Sequence, residues 1–208
     1  MFDKLKLLKL KRYFPDTILD IGAYHGNWTK QMMTIYPNSE YHLFEAIDYP
    51  ELCAFKNKYN VVLNERREIV DWYEMRNTGD SFCREKTRFF KDCEIKKKET
   101  IDLDSFDFSK SKNILIKIDC QGAEIPILKG ASKTLKNTDF VILEMPLFGV
   151  YNEGVANFGE HISYMDSIGF IPYDFLESHY CNGFNIQIDM LFINKNHNFN
   201  SVVNKLLM

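Results

Sequence analysis

The run Asp16-Thr17-Ile18-Leu19-Asp20-Ile21-Gly22, continued by Ala23-Tyr24-His25-Gly26-Asn27, constrains the fold of this chain more than any other segment. A short, β-branched apolar run that closes on an acidic residue and a glycine reads as a strand buried on both faces and entering a tight turn. Strands of that kind belong to parallel sheets covered by helices. The pattern predicts a helix from about Asn27 to Tyr36, stopped by Pro37-Asn38. Tyr41-His42-Leu43-Phe44-Glu45 reads as the next strand, residues from about Glu51 to Tyr59 as a helix, and Val61-Val62-Leu63 as a third strand. Strand, helix, strand, helix, strand is the order of a doubly wound, mostly parallel α/β sheet.

The middle of the chain alternates less cleanly. Residues 69–101 contain a turn signal at Thr78-Gly79-Asp80-Ser81 and the charged run Glu94-Ile95-Lys96-Lys97-Lys98-Glu99, read as excursion strands with the lysines on a solvated face. Ile114-Leu115-Ile116-Lys117-Ile118-Asp119 returns to the buried-strand pattern. A helix is expected from about Ala123 to Leu135, with Pro126 in its first turn, where its missing N–H costs little. Phe140 to Glu144 follows as a fifth strand, Glu160 to Ile168 as a helix closed by Gly169, and Phe170 to Phe175 and Ile186 to Ile193 as two final strands able to finish the sheet antiparallel.

Composition bounds the function. The 208 residues read as one domain, with an N-terminal helical segment at 1–14 and a core over 15–194; 17 Phe and 11 Tyr supply apolar area without disulfides or a structural metal. Lys and Arg number 26 against 29 Asp and Glu, which disfavours a nucleic-acid partner. Lys4, Lys6, Lys9, Lys11 and Arg12 alternate with leucines in an amphipathic pattern, read as a helix packed beside the sheet, with a membrane-surface anchor as the weaker alternative. The five cysteines are odd in number and widely spaced, as expected of reduced thiols in the cytoplasm, and no apolar run reaches the ~20 residues of a membrane span.

The loop from Asp20 to Gly26 carries chemistry in its form. Glycines let the backbone approach a ligand, and the helix that follows presents free N–H groups. Its acidic-x-Gly-x-x-x-Gly spacing departs from the G-x-G-x-x-G of dinucleotide sites, which disfavours a nicotinamide oxidoreductase. S-adenosylmethionine has no phosphate, and its ammonium suits a carboxylate such as Asp20; an ordinary strand-to-helix turn is the competing reading. Glu45, at the end of the second strand, is placed to accept the hydroxyls of a ribose. Asp119 and Glu144 end the fourth and fifth strands and so face the carboxyl edge of the sheet, where open α/β folds bind ligands. Asp119 is the first candidate for a general base or substrate-orienting group, with Glu144 its nearest competitor and His161 a third. No metal site is assigned; a carboxylate-held Mg²⁺ at Asp119 stays open.

With these residues in hand, the chain resembles the FkbM family of methyltransferases from about Thr17 to Asn194. The likeness rests on Asp20 to Gly26, Phe44-Glu45-Ala46, Asn77 to Ser81 and Glu99-Thr100-Ile101-Asp102. It is most specific at Ile116-Lys117-Ile118-Asp119-Cys120-Gln121-Gly122-Ala123-Glu124 followed by Leu128 to Ala131. The resemblance implies a Rossmann-like class I methyltransferase fold with an antiparallel C-terminal strand. It places S-adenosylmethionine contacts at Asp20, Gly22, Ala23, Gly26, Glu45, Ser81 and Gln121, and an active-site role around Asp119, Gln121 and Glu124. It also implies O-methylation, often of a sugar in a glycan or of a secondary metabolite. Tyr24-His25 and Asn64 depart from the family's usual small residues and are expected to reshape the rim of the cofactor site. The alternatives are a non-catalytic module of the same fold and a methyltransferase of small molecules.

Overall fold

A computed structural model describes residues 1–199. The N-terminal helix α1 (Phe2–Leu10) precedes strand β1 (Thr17–Ile21), helix α2 (Asn27–Ile35) and strands β2 (Glu40–Glu45), β3 (Asn57–Asn60), β4 (Val62–Leu63), β5 (Ile69–Glu74) and β6 (Glu94–Ile101). Strand β7 (Ile114–Ile118), helix α3 (Glu124–Lys129), strand β8 (Thr138–Pro146), helix α4 (Phe158–Ser167) and strands β9 (Phe170–Cys181) and β10 (Phe184–Asn194) complete the order. Seven strands form one sheet in the order β3-β2-β1-β7-β8-β10-β9, parallel except that β10 runs antiparallel to both β8 and β9. The doubly wound α/β expectation and its antiparallel finish are both met.

The central strands are buried throughout because each face of the sheet has its own core. Along β1, Ile18 joins one core while Leu19 and Ile21 join the other; along β7, Leu115 faces the first and Ile114, Ile116 and Ile118 the second. That alternation of period two splits the apolar runs between a layer holding α1 and α2 and a layer holding α3 and α4. The same alternation puts Asp20, Lys117 and Glu144 in line with Ile18, Leu115 and Ile142, on the α1 and α2 face.

Several expected boundaries differ. The helix expected from Glu51 to Tyr59 is a 3₁₀ turn, Pro50–Ala54, followed by β3, a polar edge strand whose Asn57-Lys58-Tyr59-Asn60 carries no apolar run to announce it. The expected third strand at Val61 to Leu63 is β4, which pairs with β6 in a separate small sheet of order β4-β6-β5. The helix expected to reach Leu135 ends at Lys129, and residues Thr134–Asn137 resume only as a 3₁₀ turn. Helix α4 starts two residues before its expected position because Asn157 and Glu160 form a reciprocal capping box. In α1, Leu5 and Leu8 are buried, whereas Leu7 and Leu10 are exposed. Its lysines are not all in water: Lys9 Nζ donates to Ile35 O at 2.5 Å and Lys11 Nζ to Tyr173 Oη at 2.8 Å. Among the described residues no helix is long and apolar enough to cross a membrane.

Candidate functional site

Strands β1 and β7 are neighbours, but β1 connects onward to one side of the sheet and β7 to the other. Their carboxyl ends therefore part and leave a crevice, the position where such sheets take ligands. The two loops are drawn together there: Asp119 N donates to Ile21 O at 3.1 Å. Gly22 is required twice over, by its φ of +75° and because a Cβ would lie 1.9 Å from Asp119 O. Gly26, the residue before α2, has φ +71°, and a Cβ there would lie 2.5 Å from the Phe55 ring.

The crevice encloses about 660 Å³, including its open mouth. Gly22, Tyr24, Glu45 and Asp119 line it together with the apolar side chains of Ile47, Val62, Leu63, Trp72 and Phe82 and the polar residues Asn77, Thr78 and Asp80. Glu45 is fixed by two backbone donors, Tyr24 N to Oε2 at 2.7 Å and Ile47 N to Oε1 at 3.0 Å. A carboxylate has about four acceptor sites, so both oxygens retain capacity toward the crevice. Burial raises its pKa above the usual carboxylate value, against the lowering effect of those amides. Asp80 is held in the same manner, accepting from Met75 N at 2.7 Å and Arg76 N at 2.9 Å.

Below the crevice floor lies a charged triad. Lys117 Nζ stands 3.1 Å from Asp119 Oδ2 and 3.5 Å from Asp20 Oδ1, and Asp20 Oδ2 accepts from Thr29 Oγ1 at 2.6 Å. A lysine this deeply buried would lose its proton to desolvation alone, but the two carboxylates hold it ionised and raise its pKa. For Asp119, burial opposes ionisation, yet Lys117 outweighs it and the carboxyl is held below its ordinary value. Asp20 goes the other way: burial exceeds the help from Lys117 and Thr29. The lysine's charge therefore serves chiefly Asp119.

A second, smaller hollow of about 270 Å³, including its open mouth, also touches the Asp119 to Glu124 loop and is bordered by Gln121, Glu144, Tyr151, Asn152 and Gln187. Gln121, itself at φ +51°, bridges the two regions: its Nε2 donates to Glu144 Oε2 at 2.5 Å and reaches Asp119 Oδ1 at 3.5 Å, while its Oε1 accepts from Tyr151 Oη at 3.3 Å. Glu124 also borders this hollow, but its Oε1 is turned into the loop and accepts from Cys120 N at 3.0 Å and Gly122 N at 3.2 Å. Burial pushes its carboxyl up to about 7. Burial, followed by the charges of Asp119, Glu124 and Asp189, holds Glu144 well above the ordinary carboxylate range.

The sequence-derived residues therefore sort by position. Gly22, Glu45 and Asp119 line the larger crevice. Asp20 is fully buried beneath the loop and acts on Lys117 and Thr29. Ala23 and Gly26 shape the loop, Ala23 N donating to Phe44 O and Gly26 N to Ala23 O. Ser81 is buried with its hydroxyl spent on Cys120 O and Cys83 N, so its neighbours Asp80 and Thr78 present the side chains of that loop to the crevice. Gln121 and Glu144 border the smaller hollow. His161 borders neither; its Nδ1 is 3.0 Å from Asn157 O, one turn back on α4. Tyr24 is on the rim as expected, whereas Asn64 lies outside it and closes a turn against Glu68 and Glu65. Asp119 already has Lys117 as its countercharge, the place a Mg²⁺ would take.

Sequence reasoning gave no role to Lys117, Trp72, His179 or Asp189. Lys117 did leave a signal: a lone lysine inside an otherwise apolar strand needs a carboxylate partner when it is buried.

Comparison with known proteins agrees with this fold. No curated protein sequence matches the chain. Among solved structures, the methyltransferase FkbM from Methylobacillus flagellatus KT superposes with a TM-score of 0.53 at 12% identity, covering 85% of this chain and 43% of its own, so this chain spans less than half of that relative. The 1,6-didemethyltoxoflavin-N1-methyltransferase of Burkholderia thailandensis, solved with 1,6-didemethyltoxoflavin and S-adenosylhomocysteine, gives 0.51 at 9% identity over 88% of this chain and 72% of its own. At such identities these likenesses concern the fold. The family model for the methyltransferase FkbM domain matches residues 20–172, the span that carries the crevice, the buried triad and the Glu124 loop, and the chain belongs to that family.

Proposed function

We propose that the chain is an S-adenosylmethionine-dependent O-methyltransferase acting on a hydroxyl of a sugar in a glycan or glycoconjugate. The observation that carries this reading is the place of Asp119, an ionised carboxylate that lines the larger crevice and is one side chain away from the smaller hollow. In the larger crevice, Glu45 takes the ribose hydroxyls, the apolar wall around Val62 and Trp72 takes the adenine, and the methionine end lies toward Gly22 and Asp119. The acceptor occupies the hollow of Gln121, Glu144, Tyr151, Asn152 and Gln187, whose density of hydrogen-bonding side chains suits a polyhydroxylated molecule.

When bound, the cofactor supplies an electrophilic methyl on a sulfonium. The residues' task is positioning and proton transfer: the acceptor oxygen must approach the methyl in line at roughly 3–3.5 Å and lose its proton as the new C–O bond forms. Asp119 lines the donor crevice and reaches the hollow through Gln121, so it receives the proton. Lys117 keeps it ionised and fixed in direction.

Titration calorimetry of the purified chain with S-adenosylmethionine and S-adenosylhomocysteine tests the donor site, with Glu45→Ala as the matched variant. Micromolar binding weakened at least about tenfold by the substitution is expected, from the loss of charge-assisted bonds worth about 1.5–3 kcal/mol. No binding of either nucleoside would refute the reading.

A further inference from the structure

Outside the donor crevice, three side chains of metal-ligand type converge on the same sheet edge. Glu144 on β8 and Asp189 on β10 are register partners, and His179 on β9 reaches toward them, its Nε2 standing 3.1 Å from Asp189 Oδ2. One ligand atom from each lies within 4.8 Å of the other two. Two donors held about 2.0–2.2 Å from one ion are themselves about 3.0–3.6 Å apart. The His179 to Asp189 spacing already has that value, and Glu144 needs to close by at most about 1.2–1.8 Å, within reach of a side-chain rotation.

Charge supplies an independent argument. Gln121 links Glu144 to Asp119, and Glu144 faces Asp189 across the β8–β10 pair, so three carboxylates stand side by side at this edge. Lys117 is engaged by Asp20 and Asp119, while Glu144 has the neutral amide of Gln121. Half-buried Glu144 and buried Asp189 have at most an imidazolium between them, and carboxylates so placed need a cation.

We propose that Glu144, His179 and Asp189 form a site for one first-row divalent cation. One imidazole and two carboxylates suit Mn²⁺ or Zn²⁺, and three protein ligands leave positions free. Glu144 alone of the three borders the smaller hollow, so it is the ligand that connects the ion to the space given above to the acceptor. On the O-methyl-transfer reading, which this part of the inference rests on, an acceptor hydroxyl bound to the ion becomes more acidic, matching it to a base as weak as the Lys117-bound Asp119.

The test uses the whole chain, stripped with EDTA and titrated with MnCl₂ under electron paramagnetic resonance, because the five free thiols compete poorly for Mn²⁺. One equivalent bound per chain, with the magnetic coupling of a directly bound imidazole nitrogen in the wild-type spectrum, is the expected result. His179→Gln and Asp189→Asn should each weaken binding at least tenfold. S-adenosylhomocysteine affinity, measured on the same variants, should stay within threefold of wild type. Absence of saturable Mn²⁺ binding at millimolar concentration, binding without nitrogen coupling, or binding unchanged in both variants would overturn the site. Nucleoside binding without metal binding would leave the methyltransferase reading intact, and the reverse result would sink that reading while keeping the cation site.

Discussion

Glu124→Gln isolates the cost of keeping a carboxyl group inside the loop that carries Asp119. The Glu124 side chain is 1% exposed and caps the Cys120 and Gly122 amides through one oxygen. Glutamine keeps an oxygen in that place and removes the ionisation. Burial raises the Glu124 pKa from 4.5 to about 7. That rise is roughly a 300-fold gain in proton affinity on folding, or about 3 kcal/mol. The sign follows from proton counting. Between 4.5 and about 7 the folded chain holds a proton that the unfolded chain has released, so Glu124 makes stability fall as pH rises through that window and flatten above it. Urea denaturation with EDTA present, at intervals from pH 4.5 to pH 8, should show variant and wild type within about 1 kcal/mol at the acid end. By pH 8 the variant should be more stable by about 3 kcal/mol. Asp139, raised to about 6 chiefly by burial, contributes to both curves and cancels in the difference. A difference that stays constant with pH would mean that Glu124 titrates alike in both states and that its two amide bonds offset its burial.

Three further perturbations probe the same region. Lys117→Met removes the cation shared by buried Asp20 and partly exposed Asp119 and should cost about 3 kcal/mol, the low end for breaking a buried pair, read as a fall in Tm; wild-type stability would show that the triad is not an ionic unit. Asp119→Asn should reduce methyl transfer at least about 100-fold with S-adenosylhomocysteine affinity nearly unchanged, and a fully active variant would remove Asp119 from proton transfer. Gly22→Ala places a methyl group 1.9 Å from Asp119 O. It should cost more than about 3 kcal/mol and lower cofactor binding with it, whereas a variant of normal stability would mean that the two loops can part without consequence.

What could be read from the sequence was whatever local chain chemistry decides. Ile18 to Ile21 and Ile114 to Ile118 announce themselves because a strand buried on both faces needs a nearly continuous apolar run, interrupted here only by Asp20 and Lys117, and the carboxylates Glu45, Asp119 and Glu144 stand out because each ends such a run. The edge strand β3 has no such requirement, since its polar residues face partly outward, and its segment passed for the end of a helix. Side-chain direction was also hidden. Asp20, near the end of β1, and Ser81, in the middle loop, both turn inward: the carboxylate accepts from Thr29 of α2 and the hydroxyl donates to Cys120 O. The His179, Asp189 and Glu144 grouping lies furthest from what a sequence displays, because it exists only through register: β10 must pair antiparallel with β8 so that Asp189 meets Glu144, and β9 must fold back through its irregular pairing for His179 to reach Asp189. A shift of one residue in either pairing would turn these side chains to the opposite face. The row from Asp119 to His179 is thus a consequence of strand order and register, the two properties that link residues distant in the chain into one chemical surface.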